Sequence, residues 1–225
     1  MKNNRYTLRA LARLLAYPDA QLRSELSALA DAIDQEAALP AARRAELRTL
    51  ALELQRSAPL DTEARYVETF DRGRATSLHL FEHVHGDSRD RGPAMIDLAQ
   101  TYEKAGLFLG PDELPDHLCV VLEFASTQPA ALAKSFLGEM AHILTAIFSA
   151  LLQRDSPYAA VLAAVLELSG HTAQAVTIAV DEAMDDSWAE PEAFGGCSTR
   201  GQAKPGEAQP IHIVRNTTAA PRVAA

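Results

Sequence analysis

The chain has 225 residues, 48% of them hydrophobic and 23% charged, and its formal net charge is −9. This is the composition of a globular protein, and a chain of this length buries enough surface to fold without disulfide or metal crosslinks. Its two cysteines exclude a disulfide framework and a four-thiolate metal site, and its acidic balance argues against nucleic-acid binding by phosphate neutralisation.

The N-terminal residues include basic side chains, but Arg9 and Arg13 interrupt the first apolar run, so no secretory signal is predicted. No segment approaches the ~20 uninterrupted apolar residues that a membrane-spanning helix needs. The most apolar stretch, residues 143–152, is too short and belongs to an amphipathic pattern. The sequence therefore predicts a soluble, cytoplasmic protein without direct membrane insertion.

Apolar residues recur at helical spacing along most of the chain, whereas runs that alternate with a period of two are scarce. Asp19 is a candidate N-terminal cap, Pro40 a candidate first helical residue, and Gly106 and Gly170 are candidate helix stops. We predict an all-α fold, a single compact bundle of roughly eight to ten helices, with the wide stripe at 132–151 on a central helix. The predicted helices have their apolar stripes at residues 22–33, 47–54, 95–102, 118–125, 132–151, 161–168 and about 171–183.

The composition changes near Pro191. Residues 191–225 are rich in glycine, proline, threonine and alanine, show little periodicity and include four basic and two acidic residues. The sequence therefore predicts a helical domain at 1–190 and a flexible, disordered tail at 191–225. A short apolar run at 211–214 is better explained as part of a solvated tail than as a docking element.

Common catalytic and nucleotide-binding motifs are missing from the sequence. It contains no Gly-x-Gly-x-x-Gly, no Walker loop, no Gly-x-Ser-x-Gly, no Cys-x-x-Cys and no His-Glu-x-x-His. We therefore assign no catalytic residue and no cofactor.

Residues 66–93 depart from the helical repeat and include three of the seven histidines. A metal site is one interpretation, because His79 and His83 would share a helical face and His85 with Asp87 would complete the ligand shell. We disfavour it, since thiolates are absent and Gly86 is expected to end the helix before His85 is aligned.

A second interpretation is catalysis by Asp116 and His117 with Ser77 or Ser88. Residues adjacent in sequence rarely make the hydrogen bond that orients a catalytic histidine. Asp116, which follows Pro115, is better explained as an N-terminal cap or a first-turn acid of the helix that begins there.

A third interpretation is a groove for a partner helix, with apolar anchors and acidic residues that would meet basic side chains. The alternative is that the aromatic residues fill the core and the charges form a solvated face. Arg89 and Arg91 would hold a carboxylate or phosphate group, or pair with nearby acids. The candidate anchors are Tyr66, Phe70, Leu78, Phe81 and Val84, and the candidate acids are Glu68, Asp71, Glu82 and Asp87.

Two stretches of this region resemble a known family. Residues 66–71, Tyr-Val-Glu-Thr-Phe-Asp, with the nearly contiguous residues 77–92, resemble the signature of the NarJ family of nitrate reductase assembly chaperones. That family lies within the wider TorD/DmsD group of chaperones for molybdenum enzymes. Residues 114–118, Leu-Pro-Asp-His-Leu, resemble a motif of the wider group, and the resemblance extends over about residues 5–195.

This resemblance implies the all-α bundle of these chaperones and a protein that is not an enzyme. It implies binding of the apo catalytic (alpha) subunit of respiratory nitrate reductase, partly through that subunit's N-terminal peptide. Binding would keep the subunit competent for molybdenum cofactor insertion before it docks on the membrane, with molybdenum cofactor delivery proteins as further partners. The alternatives are a chaperone of another molybdoenzyme and a small histidine-based metal-binding helical protein. By the resemblance, the residues that line or support the peptide site are Tyr66, Glu68, Phe70, Asp71, Leu78, His79, Phe81, Glu82, His83, His85, Asp87, Arg89, Arg91, Asp116 and His117.

Overall fold

The computed structural model of the chain describes residues 3–86, 88–111 and 113–177. Within these ranges it contains ten α-helices, one short 3-10 turn and no β-strand, which confirms the predicted all-α fold. The helices are α1 (Arg5–Leu14), α2 (Ala20–Glu36), α3 (Ala41–Arg56), α4 (Pro59–Phe70), α5 (Leu80–His85), α6 (Arg91–Lys104), α7 (Leu118–Thr127), α8 (Ala130–Glu139), α9 (Ala141–Gln153) and α10 (Ala159–Ser169), and the 3-10 turn is Arg74–Thr76.

The main core lies where α1 and α10 meet their neighbours. α1 packs against α7, α2 and α10, while α10 packs against α8, α9 and α3. Residues 161–166 of α10 are all fully buried, as expected for a helix that is apolar on every side. The stripe at 132–151 was predicted to form a central helix. Its second half, α9, is largely buried, but α10 is the more completely buried of the two helices.

That stripe forms two helices rather than one. α8 and α9 meet at Met140 with a bend of 69°. Gly138, a weak helix former, precedes the break, and the Met140 N–H donates to the Leu137 carbonyl three residues back instead of four. None of the described helices is long and apolar enough to cross a membrane alone; α8 and α9 meet that length and composition criterion only together, across the bend.

The predicted helix boundaries are confirmed at Asp19 and Gly170 and are shifted by one residue at Pro40. Asp19 caps α2, since its Oδ1 accepts the Leu22 N–H at 2.7 Å. Pro40 directly precedes α3 instead of starting it. Gly170 ends α10 at φ +87°, a backbone conformation that favours glycine.

The predicted helix at 171–183 is wrong over the part that the structure describes. Residues 171–177 are not helical, and the Val176 N–H donates to the Ser149 hydroxyl at 3.0 Å. α10 ends at Gly170, and the apolar periodicity after it does not form a helix over residues 171–177. Residues 178–183 and the predicted tail at 191–225 lie outside the described residues, and the domain boundary near 190 stays a prediction.

The turn between α3 and α4 is held by one arginine on α2. Arg23 donates to the carbonyls of Leu54 at 2.6 Å, Gln55 at 3.2 Å and Ser57 at 2.8 Å. These carbonyls lie at the end of α3, where no helical N–H remains to satisfy them. The guanidinium therefore sets the direction in which α4 leaves α3.

Replacing Arg23 with lysine tests this arrangement. An ammonium keeps the charge but cannot reach three carbonyls with a planar fork, so we expect the free energy of unfolding to fall by about 1–2 kcal/mol. Urea denaturation measures the change, and Arg9→Lys on the exposed side of α1 is the matched control. Equal stability of the two variants would contradict the proposed role.

Candidate functional site

Two of the stretches that carry the family resemblance, residues 77–92 and 114–118, lie side by side. The Leu118 N–H donates to the Leu78 carbonyl at 2.9 Å, and the Leu80 N–H donates to the Asp116 carbonyl at 3.1 Å. This short antiparallel bridge places His79 opposite His117, with ring centroids 4.9 Å apart. The segment before α5 and the segment before α7 are thereby joined across more than thirty residues of chain.

Asp116 is fully buried, and it caps α5 instead of α7, the helix that follows it in the sequence. Its Oδ2 accepts the Phe81 N–H, at the start of α5, at 3.1 Å. The prediction that Asp116 caps the helix that follows it is wrong, because α7 begins at Leu118 and His117 is its N-cap residue. The antiparallel bridge brings the carboxylate to the N-terminal end of α5, where unpaired N–H groups and the helix dipole stabilise negative charge.

Two basic side chains approach the buried carboxylate. His79 Nδ1 lies 3.5 Å from Asp116 Oδ1, and Arg91 Nη2, at the start of α6, lies 3.7 Å from Asp116 Oδ2. Arg91 also lies 3.4 Å from Glu82, which accepts the Ser77 hydroxyl at 2.6 Å. We call Ser77, His79, Glu82, Arg91 and Asp116 the Asp116 cluster.

These contacts shift three pKa values. Burial raises the pKa of Asp116, but the interaction with His79, the Phe81 N–H and the Arg91 charge together bring it below its ordinary value. The same interaction with Asp116 raises the pKa of His79, although burial opposes it. Burial and the neighbouring His79 lower the pKa of His117.

The histidines of α5 do not converge. His79 precedes the helix as its N-cap residue, so it does not share a helical face with His83. His83 Nε2 lies 2.9 Å from the Ser77 carbonyl, and the His85 ring packs edge-on against Phe81 with centroids 5.7 Å apart. Gly86, at φ +50°, ends α5 as expected. In the part of the chain that the structure describes, no group of three or more His, Cys, Asp or Glu side chains is arranged to hold a metal.

The candidate anchors divide into buried and exposed residues. Tyr66, Phe70 and Leu78 belong to the main core, where the Tyr66 hydroxyl donates to the Leu15 carbonyl at 2.8 Å. The Tyr66 and Phe70 rings pack at a tilt with centroids 4.9 Å apart, and both pack against Tyr158. These three residues are nearly fully buried, so they fill the core instead of forming an exposed face.

The remaining candidate residues lie nearer solvent. Phe81, His83, His85 and His117 are half-buried, and Val84 is exposed. The exposed charges are Glu68, Asp71 and Arg89, with Glu68 paired to Arg72 at 3.2 Å, and Asp87 lies outside the described residues.

A second apolar cluster lies next to the Asp116 cluster, and the sequence analysis missed its role. Leu98, Tyr102 and Phe124 are buried at its centre, and the Tyr102 hydroxyl donates to the Pro115 carbonyl at 2.8 Å. Phe108 is 80% exposed although both of its neighbours pack on this cluster. We call Phe108 and the partly buried residues that pack on this cluster the Phe108 surface; the packed residues are Phe81, Leu107, Leu109, Val120, Phe136 and Met140.

One signal in the sequence pointed to the Phe108 surface. Residues 107–109, Leu-Phe-Leu, are three consecutive apolar residues between Gly106 and Gly110, which fits neither a helical stripe nor a solvated loop. The run lies outside residues 66–71, 77–92 and 114–118, which carry the family resemblance.

Comparison with known proteins matches the chain to the family described as nitrate reductase delta subunit, over residues 19–164. The chain is 43% identical over 180 residues to the Escherichia coli K12 nitrate reductase molybdenum cofactor assembly chaperone NarJ, covering 79% of this chain and 76% of that protein. It is 33% identical over 164 residues to a Bacillus subtilis protein with the same description, covering 71% of this chain and 86% of the other.

A solved structure shares the fold. The chain superposes on a protein from Archaeoglobus fulgidus described as a redox enzyme maturation protein with a TM-score of 0.51, at 21% identity, over 72% of this chain and 91% of the other. At this identity the likeness concerns the helical architecture alone.

Replacing Asp116 with asparagine tests the Asp116 cluster. Asparagine still accepts the Phe81 N–H but removes the charge, so we expect the pKa of His79 to fall and the free energy of unfolding to drop by about 2 kcal/mol near pH 5.5. NMR titration of the histidines and urea denaturation measure the two effects.

The stability difference between wild type and Asp116→Asn has a defined pH dependence. Because the Asp116 pKa is lowered by folding, its contribution is lost as pH falls below about 4 through the folded value. Because the His79 pKa is raised, its contribution is lost as pH rises from about 6.5 through the folded value. The difference is therefore largest between these limits. A difference that stays constant from pH 5 to 9 would contradict the pairing of His79 with Asp116, and Asp97→Asn, on the exposed face of α6, is the control.

Proposed function

Because the chain belongs to the nitrate reductase delta subunit family, we propose that it is a molybdenum cofactor assembly chaperone that binds nitrate reductase. The observation that supports this most strongly is the 43% identity to an assembly chaperone along 79% of the chain. As a chaperone the protein acts by binding and release and is not an enzyme.

The form of nitrate reductase that the chaperone binds is the apo catalytic (alpha) subunit, which it holds partly through the N-terminal peptide of that subunit. Holding that subunit keeps it competent for molybdenum cofactor insertion and delays its docking on the membrane. The encounter takes place in the cytoplasm, and molybdenum cofactor delivery proteins are further partners. The support for these details is the resemblance of residues 66–71, 77–92 and 114–118 to the family signature.

The Phe108 surface provides the apolar contact for the peptide. Phe108 is the most exposed large hydrophobic residue of the described chain, and a buried aromatic anchor typically dominates a small interface. A peptide helix with one apolar face would cover Phe108 together with Phe81, Leu109 and Phe136. Exposed acids on α6 and in the following loop, Asp97, Glu103 and Glu113, favour basic residues on the peptide's polar side.

The Asp116 cluster positions this contact rather than forming it. Asp116 holds the first turn of α5, and Phe81 in that turn packs on the second apolar cluster. Arg91 links the same carboxylate to the start of α6, whose residues Leu98 and Tyr102 lie beneath the surface. The candidate residues His79, Glu82 and His117 contribute in the same way, while His83, His85, Glu68, Asp71 and Arg89 are available for polar contact with a partner.

The expected affinity is moderate. Ordering a free peptide into a helix costs about 2–5 kcal/mol of the interaction energy. Burial of one exposed aromatic residue and a few apolar neighbours offsets this free-energy cost by a small margin. The partner can therefore be released once it is complete.

The decisive experiment is calorimetric titration with a peptide from the N-terminus of the same organism's nitrate reductase catalytic subunit. We expect Phe108→Ala to weaken binding at least tenfold, which corresponds to about 1.4 kcal/mol, without lowering the unfolding midpoint, because Phe108 makes few contacts in the free protein. Leu60→Ala, a residue 77% exposed on α4, is the matched control.

Two results would contradict parts of this function. Unchanged peptide affinity in Phe108→Ala would show that the peptide binds elsewhere than the Phe108 surface. Failure of the wild-type protein to bind either the peptide or the whole apo catalytic subunit would remove nitrate reductase as the partner.

A further inference from the structure

His79 and His117 face each other across the antiparallel bridge that joins the segment before α5 to the segment before α7. The two hydrogen bonds of this bridge are made by the residues on either side of the pair. His79 and His117 therefore form a pair without hydrogen bonds to each other, which is the arrangement that brings side chains on adjacent extended segments closest together. Both imidazoles lie on the same face of the bridge.

Three of the four ring nitrogens in this pair are available to a ligand. His79 Nδ1 is buried and lies 3.5 Å from the Asp116 carboxylate. His79 Nε2 and both nitrogens of His117 make no hydrogen bond to any described residue, and none of the three is a buried atom without a partner. These three nitrogens therefore reach the protein surface, in line with the half-buried position of both side chains.

The spacing of the two rings fits a metal ion that both of them bind. A transition-metal ion lies ~2.0–2.1 Å from an imidazole nitrogen and therefore roughly 3.2 Å from the centroid of the ring. Two imidazoles that meet at such an ion at about 90–110° have centroids roughly 4.5–5.2 Å apart. The His79 and His117 centroids are 4.9 Å apart, with the ring planes inclined at 67°. One ion therefore fits the pair without movement of the backbone.

The buried carboxylate of Asp116 orients His79 as a metal ligand. A proton on Nδ1 of the neutral imidazole faces Asp116, which leaves the lone pair on Nε2, at the solvent side of the ring. Metal-binding histidines are commonly held in this way, with the second ring nitrogen donating to a carboxylate. Two carboxylates, of Asp116 and Glu82, and one guanidinium, of Arg91, act on His79. The charge around the neutral imidazole is therefore negative and favours a cation.

We propose that His79 and His117 bind a divalent transition-metal ion, with His79 Nε2 and one ring nitrogen of His117 as protein ligands and the remaining coordination positions open to water. Imidazole nitrogen selects ions such as Zn²⁺, Ni²⁺ and Cu²⁺ over Mg²⁺ and Ca²⁺, which prefer oxygen ligands. The site differs from the set of His79, His83, His85 and Asp87 that the sequence suggested, because its second ligand comes from the segment before α7. The bound ion links that segment to the segment before α5.

Titration of the full chain, without an affinity tag, with Zn²⁺ and Mg²⁺ tests the site at about pH 8, where free imidazole is neutral. We expect saturable NMR shifts of the His79 and His117 rings with Zn²⁺ and none with Mg²⁺ at the same concentration. His117→Gln should weaken Zn²⁺ binding at least tenfold in calorimetry without lowering the metal-free unfolding midpoint, because the His117 side chain does not cap α7. His142→Gln, on the exposed side of α9, is the matched control. No saturable shift of the two rings, or equal Zn²⁺ affinity of His117→Gln and wild type, would overturn the proposal.

Copper gives a measurement on the wild-type chain that does not depend on the folding of a variant. Cu²⁺ binds nitrogen ligands more strongly than Zn²⁺ does, and pulsed EPR counts the imidazoles that coordinate it. We expect two coordinated imidazoles in the wild-type chain with one equivalent of Cu²⁺, and one in His117→Gln. A single coordinated imidazole in the wild-type chain, or the same number in both proteins, would overturn the proposal.

Discussion

The buried carboxylate of Asp116 is the constraint on which the arrangement of the site depends. A charge without access to water requires compensation, and here it comes from two pieces of chain: His79 and the Phe81 N–H at the start of α5, and Arg91 at the start of α6. The His79 and Arg91 contacts, at 3.5 and 3.7 Å, are longer than direct hydrogen bonds. They stabilise the charge through a low-dielectric interior, so loss of one of them affects the others.

The same carboxylate connects the core to the exposed surface. Tyr102 donates to the carbonyl of Pro115, the residue before Asp116, and thereby ties α6 to the bridge that positions α5. Phe81 leaves the capped first turn of α5 and packs on the cluster of Leu98, Tyr102 and Phe124. Leu107 and Leu109, the neighbours of Phe108, pack on the same cluster, so the exposed Phe108 side chain is flanked by residues that are packed in place.

The residues of the family signature are partly buried in the core and partly exposed. Tyr66, Phe70 and Leu78 are the residue types expected of a groove, yet all three are buried in the main core. Composition and spacing could not distinguish the two roles, because an aromatic residue that fills a core and one that receives a ligand have the same periodicity. The Phe108 surface shows the converse, since its exposed residue lies in a loop without a helical repeat.

The sequence by itself determined the all-α fold, the cap at Asp19, the stop at Gly170 and the closeness of residues 66–92 to a family signature, because helical periodicity, capping and motifs are local properties. Only the tertiary structure decided that the stripe at 132–151 bends at Met140 and that Asp116 caps α5 instead of α7. The capping of α5 depends on a contact between residues 35 positions apart, and the periodicity of an apolar stripe does not show where its helix is interrupted. A carboxylate accepts hydrogen bonds from the unpaired N–H groups that the packing of the chain places next to it. The local sequence around Asp116 does not show which helix will supply those groups.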